Sequence, residues 1–464
     1  MVIGDEYSAP ASDVGAILTR SPHSPLMRKP LRTSETPSSR NSRMTFVEII
    51  ETSGGAKLRR KAYLTLLGFV YTGVVLFSAA RFSGWPYAAW RGTIVDFNDF
   101  YLAGVLAAGG RVNSAYAFIN LLAEQRSLFG EMSMMPWTYP PQFDLLLGPL
   151  ARLPIGIAYT LFISATLGAY TLTIRRLAPG QVASVLMLIA PAIVVTVRCG
   201  QNGFLTGALI GSAAIGLLEG RAWAGIPLGL MVIKPHLAVA FALHALMSRR
   251  WNVALMAGLI VVSTSLLATA VLGFEVWTAF LGGVKEAGGF LAGGLYPHYR
   301  MVSGYAMARS LGFSATVGTA VQLALAAAAI IATATAVTRF TQRQAIGVAA
   351  IASLMISPYA YDYDLPVFGV GVALLLGDLK RHGTLRERFA LYAFVLSVQV
   401  TAFALAVRAD FQDSHAAMPV SIGCFAVTAT LAMAWRILER TRVPALAKAE
   451  APTHECAVVE TCAI

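Results

Sequence analysis

Apolar residues in this chain gather into long runs, and the positive charge falls in short clusters between them. The runs at 62–80, 155–174, 181–197, 203–218, 253–272, 316–337, 389–407 and 419–437 approach or exceed the ~20 residues a helix needs to cross a bilayer. Shorter runs lie at 142–153, 345–356 and 365–377, and a longer one at 223–247. Together they predict an all-α polytopic membrane protein, a bundle of about twelve transmembrane helices.

The clusters orient that bundle. Lys57-Leu58-Arg59-Arg60-Lys61 precedes the first run, and Arg249-Arg250, the segments 339–343 and 380–388, and Arg436 to Arg442 follow later ones. Under the positive-inside rule these face the cytoplasm, so both termini are expected inside, at the cell or inner membrane, with the first helix exiting to the outer face. Two long outer loops then lie near 82–139 and 274–312, and helix-like stretches at 99–108 and 114–128 suggest short surface helices. Ordered loops of this length are commonly functional. Residues 1–61, rich in Ser, Pro, Thr and Arg, read as a disordered basic cytoplasmic tail, 62–440 as the membrane domain and 441–464 as a second cytoplasmic tail.

The region 142–247 has two readings. Either 142–153 crosses thinly and 223–247 is one kinked helix, or the first is re-entrant and the second is two half-helices broken at Lys234-Pro235-His236. Placing Arg175-Arg176 inside favours the second. Short segments broken by Pro and Gly often line a polar site at membrane depth.

Composition agrees. Of 464 residues 56% are hydrophobic and only 13% charged, against about 25% charged in soluble domains. The net charge of +12 sits in loop clusters with no basic stripe interleaved with aromatics, so nucleic acid is excluded as a partner. Four cysteines without CxxC spacing suggest neither a zinc site nor a disulfide framework. No metal site and no cofactor are expected. Walker, Rossmann, HExxH and GxSxG patterns are absent.

Against this apolar background a few polar residues need explaining. Asp96 and Asp99 open the first outer loop three residues apart, on one face if helical. Asp96 is the candidate general base, with N-capping as the competing reading, and Asp99 its supporting carboxylate. Tyr139 closes the same loop. Gln201 and Asn202, in Gly200-Gln201-Asn202-Gly203, either form a turn or bind a sugar hydroxyl or phosphate. Lys234 lies mid-run, too deep to snorkel easily, and with His236 it invites a buried anion. Arg300 offers a fork of donors to a phosphate. Tyr361, Asp362 and Asp364, after Ser357-Pro358, form a candidate substrate-binding rim.

The ordered set Asp96-Phe97 with Phe100-Tyr101, Tyr139-Pro140-Pro141-Gln142-Phe143 to Leu153-Pro154, Gly200-Gln201-Asn202, Lys234-Pro235-His236, and Ser357-Pro358 with Tyr363-Asp364-Leu365 resembles glycosyltransferase family 87. The resemblance spans about 62–377. It implies a GT-C-type fold, an active site beneath the first outer loop, and inverting transfer of a hexose, commonly mannose, from a polyprenyl-phosphate donor to a lipid or glycan acceptor. By similarity Asp96 is the base. Some mycobacterial members carry a histidine after the Ser-Pro pair, where this chain reads Tyr361-Asp362-Tyr363-Asp364. The residues fit such chemistry: a lipid phosphate leaves without a nucleotide-bound metal, and Lys234, His236 or Arg300 would meet its charge. Membrane lipid is the further partner. The alternatives are a polytopic transporter or flippase, expected to show inverted repeats, and a lipid-linked glycan ligase.

Overall fold

A computed structural model describes residues 46–52, 57–83, 94–409 and 419–441. Among these the regular elements are helical, apart from an isolated antiparallel bridge between Met301 and Tyr361. Four helices are long and apolar enough to cross a membrane: Leu58–Ala80, Ile155–Leu177, Trp251–Leu272 and Ala315–Arg339. Val182–Leu188 and Ala190–Cys199 would make a fifth if the pair is one span; they meet at 64°. A proline at the start of the second member, Pro191, cannot donate its backbone bond to the preceding turn.

The long helices turn large apolar side chains outward. Leu255, Leu259, Val262 and Leu266 on one, and Leu66, Phe69 and Phe77 on another, are exposed. An apolar surface this continuous suits hydrocarbon, not water.

Where about twelve spans were expected, four helices, or five, meet both the length and the hydropathy of a span among the described residues. Gly203–Leu218 has 16 residues and Gln342–Ile356 has 15, whereas a helix rises ~1.5 Å per residue against a hydrocarbon core of ~30 Å. Gln342–Ile356 and the helix Leu365–His382 are buried along almost their whole length. Their apolar residues are met by protein. Gly203–Leu218 packs between Ile155–Leu177 and Leu365–His382 in the same interior.

Part of the expected N-terminal tail is helical. Phe46–Thr52 forms a helix that packs on Leu385–Ala409: Arg388 pairs with Glu51 at 2.6 Å and the Phe46 ring meets Phe389 edge-on. Residues 57–61 begin the helix Lys57–Ala80. The rest of that tail, and the C-terminal tail beyond 441, lie outside the described residues.

Three irregular stretches converge on the site. The first loop carries the helices Asp96–Ala108, Asn113–Tyr116 and Phe118–Phe129. The second carries Glu275–Ala292, a single turn at His298–Arg300, and Gly304–Ser310. The run 223–247 is broken into the helices Gly225–Leu230 and Val239–Met247 with two 3-10 turns between them, Lys234 standing outside helical geometry at the break. The geometry is that of the two-half-helix reading. Its short companion Pro141–Leu150 packs against Asp96–Ala108.

Candidate functional site

Asp96 is the first residue of its helix but does not cap it. Val95 occupies the cap position, and Asn98 Oδ1 accepts from the Val95 amide at 3.0 Å. Released from capping, the half-buried Asp96 carboxylate accepts through Oδ1 from Gln201 Nε2 at 2.8 Å. Gln201 is oriented from its other end, where Oε1 accepts from the Tyr139 hydroxyl and the Asn202 amide, both at 3.0 Å. That pair of donors makes Oε1 the acceptor and turns Nε2 toward Asp96.

The local sequence makes this possible. Gly200 ends the helix Ala190–Cys199 in the left-handed region at φ 69°, and a Cβ there would lie 2.4 Å from Phe97 Cβ. Gly203 starts the next helix against the Tyr363 carbonyl, 1.7 Å from where a Cβ would stand. The two glycines let the turn press between the Asp96 helix and the 361–364 segment, carrying Gln201 to both.

Across from Asp96 stand two cations, each with its own carboxylate. Lys234 Nζ donates to Asp364 Oδ1 at 2.7 Å, and the two side chains are 7% and 1% exposed. Arg300 holds Asp362 through Nε and Nη2, both at 3.0 Å, while Nη2 also reaches Cys199 Sγ at 3.2 Å; neither takes Nη1. The Tyr363 ring lies between the cations, 4.8 Å from Lys234 and 5.6 Å from Arg300, and stacks on Tyr361 at 5.1 Å. Burial acts to lower the Arg300 pKa, but the charge and hydrogen bonds of Asp362, with Cys199 and Asp96, together outweigh it and hold the guanidinium well above its ordinary value. Asp362 and Asp364 form the one-turn 3-10 entry to Leu365–His382 and accept from the Tyr363 and Tyr361 amides. Charge at a helix N-terminus is favourable, so both acids are held twice.

These groups share a cavity of roughly 370 Å³. Its polar wall carries Asp96, Asp99, Tyr139, Gln201, Lys234, His236, Arg300 and Tyr361. Its apolar wall includes Met134, Trp137, Phe280, Val284 and Ala287. The structure therefore brings eight of the sequence-predicted site residues onto one surface. Asn202, Asp362 and Asp364 stand behind it, fully buried or nearly so. Asp362 and Asp364 were expected to meet substrate from a rim; they are engaged with Arg300 and Lys234, because a buried carboxylate needs a cation. The fork of Arg300, expected to be open for phosphate, is largely committed for the same reason. His236 Nε2 and both side-chain polar atoms of Asn202 are buried without a hydrogen-bond partner.

Sequence reading missed the apolar wall and its support. Asp144, fully buried, accepts from the Tyr116 hydroxyl at 2.6 Å and Trp137 Nε1 at 3.2 Å, fixing Trp137 against Phe100 and Tyr139. An acid in an apolar run, three residues after Pro141, was the available signal. A shallower hollow of about 590 Å³ lies between 113–117 and Glu275–Ala292, and none of the sequence-predicted residues reach it. Among the described residues no group of three or more His, Cys, Asp or Glu side chains is placed to hold a metal ion.

No curated protein and no solved structure matches the chain. Residues 137–358, which include Tyr139, Gln201, Lys234, His236 and Arg300, match glycosyltransferase family 87. That segment is thus similar to a glycosyltransferase family 87 domain, the mark of an enzyme that moves a sugar from a donor to an acceptor.

Proposed function

We propose that the chain is a multi-pass membrane glycosyltransferase moving a hexose from a polyprenyl phosphate to a lipid or glycan acceptor on the outer face of the cell membrane, with inversion. One observation carries the reading. Asp96, oriented by Gln201 through a single oxygen, shares a cavity with Lys234, His236 and Arg300, and apolar side chains complete its lining.

The chemistry follows from that arrangement. An acceptor hydroxyl hydrogen-bonds to Asp96 Oδ2, which Gln201 leaves open. As its oxygen attacks the anomeric carbon from one face, the proton passes to Asp96 and the bond from that carbon to the phosphate oxygen breaks on the other. The leaving phosphate keeps the electron pair, its charge is met by Lys234 and Arg300 Nη1, and His236 offers it a hydrogen bond. Asp362 and Asp364 hold the cations in position without the cost of reorganising them. The apolar wall offers Trp137 and Met134 to the sugar face and the first prenyl units.

The test is reconstitution of the purified chain with a labelled polyprenyl-phosphate hexose. Product formation supports the reading. Passage of label across the bilayer without a new glycosidic bond would mean a carrier instead.

A further inference from the structure

Two carboxyl groups sit one turn apart at the start of Asp96–Ala108, and their surroundings differ. Asp96 is half-buried. Asp99 is 4% exposed. Its Oδ1 accepts from Gln125 Nε2 at 2.8 Å, and Gln125 is itself held by the Ser133 amide on Oε1, also at 2.8 Å. Its Oδ2 is buried and has no partner. Asp99 is nevertheless among the residues that line the cavity, as Asp96 is.

Among the described residues no cation is paired with Asp99, and the cavity's Lys234 and Arg300 are held by Asp364 and Asp362. Gln125 is neutral. Glu124 on the same helix as Gln125 is taken by Arg111 at 2.5 Å, and Asp144 on Pro141–Leu150 by Tyr116 and Trp137. Asp96 is the charge that acts on it, and that charge is negative. An ionised carboxylate there would be buried with one neutral donor and a like charge one turn away, which is costly. A neutral acid is cheap, provided its hydroxyl finds an acceptor. Burial, set against the Gln125 bond and reinforced by Asp96, raises the Asp99 pKa well above the ordinary carboxylate range.

We propose that Asp99 is a neutral carboxylic acid whose Oδ2 hydroxyl donates a hydrogen bond to an oxygen of the acceptor held at Asp96. The pair then divides the work: the outer carboxylate takes a proton, and the inner acid reads a neighbouring oxygen and orients it. Because Asp99 holds its own proton, Asp96 remains the only anion of the pair. The inference rests on the reading of this cavity as the acceptor site, and its first test does not depend on that reading.

The first test is the infrared spectrum of the reconstituted full chain at neutral pH, wild type minus Asp99→Asn. A carboxylic-acid carbonyl band present in the wild type and lost in the variant is expected. A difference showing only carboxylate bands would overturn the proposal. The second test is transfer kinetics. Asn keeps a donor and the Gln125 bond, so Asp99→Asn is expected to lose a few-fold in kcat/KM. Asp99→Leu keeps the volume without the donor and is expected to lose roughly tenfold to a hundredfold. Equal losses in the two variants, or no loss in Asp99→Leu, would remove the donor role. A wild type that makes no product while the acid band is present would instead remove the proposed function and leave the protonation state standing.

Discussion

Asp96 and Asp99 look alike on paper, and the different roles proposed for them follow from what each can reach. A base must exchange its proton with the substrate, and Asp96 has an open oxygen and partial access to do so. Asp96→Asn keeps the Gln201 contact and removes the base. Transfer by the reconstituted variant is expected to fall roughly 100-fold or more, with the melting temperature close to wild type. Full activity would show that Asp96 does not take the proton. Asp99 carries a stability prediction of its own. With its pKa raised in the folded chain, the folded state binds one more proton than the unfolded state between the ordinary aspartate range and the raised value, so stability falls as pH rises through that window. Melting curves taken across it are expected to fall more steeply with pH for wild type than for Asp99→Asn. Lys234 and Asp364 make a third case. Removing either alone leaves a buried charge without its partner, at about 3–5 kcal/mol. The double variant Lys234→Met with Asp364→Leu is expected to recover much of the melting temperature lost by Lys234→Met while remaining inactive in transfer.

The elements that bring these side chains together are short and interrupted. Gly200-Gln201-Asn202-Gly203 was legible as a turn, or as a binding motif, and the structure shows the turn, whose glycines admit Phe97 and the Tyr363 carbonyl, with Gln201 between them. Gly203→Ala is expected to cost at least ~1–3 kcal/mol through overpacking against backbone that cannot yield. Gly68→Ala, where a new Cβ meets nothing within 4 Å, is expected to leave the detergent melting curve within ~1 kcal/mol of wild type. A loss in the second as large as in the first would show that the close contact at Tyr363 is not the cause. The break at Lys234-Pro235 was also readable, because proline and a charge in an apolar run seldom continue a helix. Which carboxylate meets that lysine was not. The partner lies 130 residues away, and nothing in the local pattern distinguishes Asp364 from Asp362.

At the scale of the molecule, the long helices Leu58–Ala80, Ile155–Leu177, Trp251–Leu272 and Ala315–Arg339 expose apolar side chains, and short buried helices fill the space behind them. A cation on the outward face of Trp251–Leu272 would sit in hydrocarbon. Leu259→Lys is expected to lower membrane insertion, at about 2.5–3.5 kcal/mol near the helix centre, read as glycosylation-tag topology or membrane yield. The same lipid setting permits a test of orientation. Single cysteines placed at Asn113 and at Arg381 are expected to react with an impermeant reagent from opposite faces, Asn113 from outside. Labelling of both from one side would invert or abolish the proposed topology.

Hydropathy, charge placement and a handful of polar residues determined the class of this protein: helical, apolar outside, its candidate site in the irregular stretches. Those signals are local, since transfer free energy and backbone propensity act on each segment by itself. Tertiary structure decided the rest. It separated helices that face outward from helices of equal hydropathy that face protein, and it put Asp362 and Asp364 behind Arg300 and Lys234. It also released Asp96 from capping, enclosed Asp99, and raised an apolar wall on Asp144. Each of these is a question of which distant group shares a buried volume, and burial makes charges choose partners that the order of residues does not name.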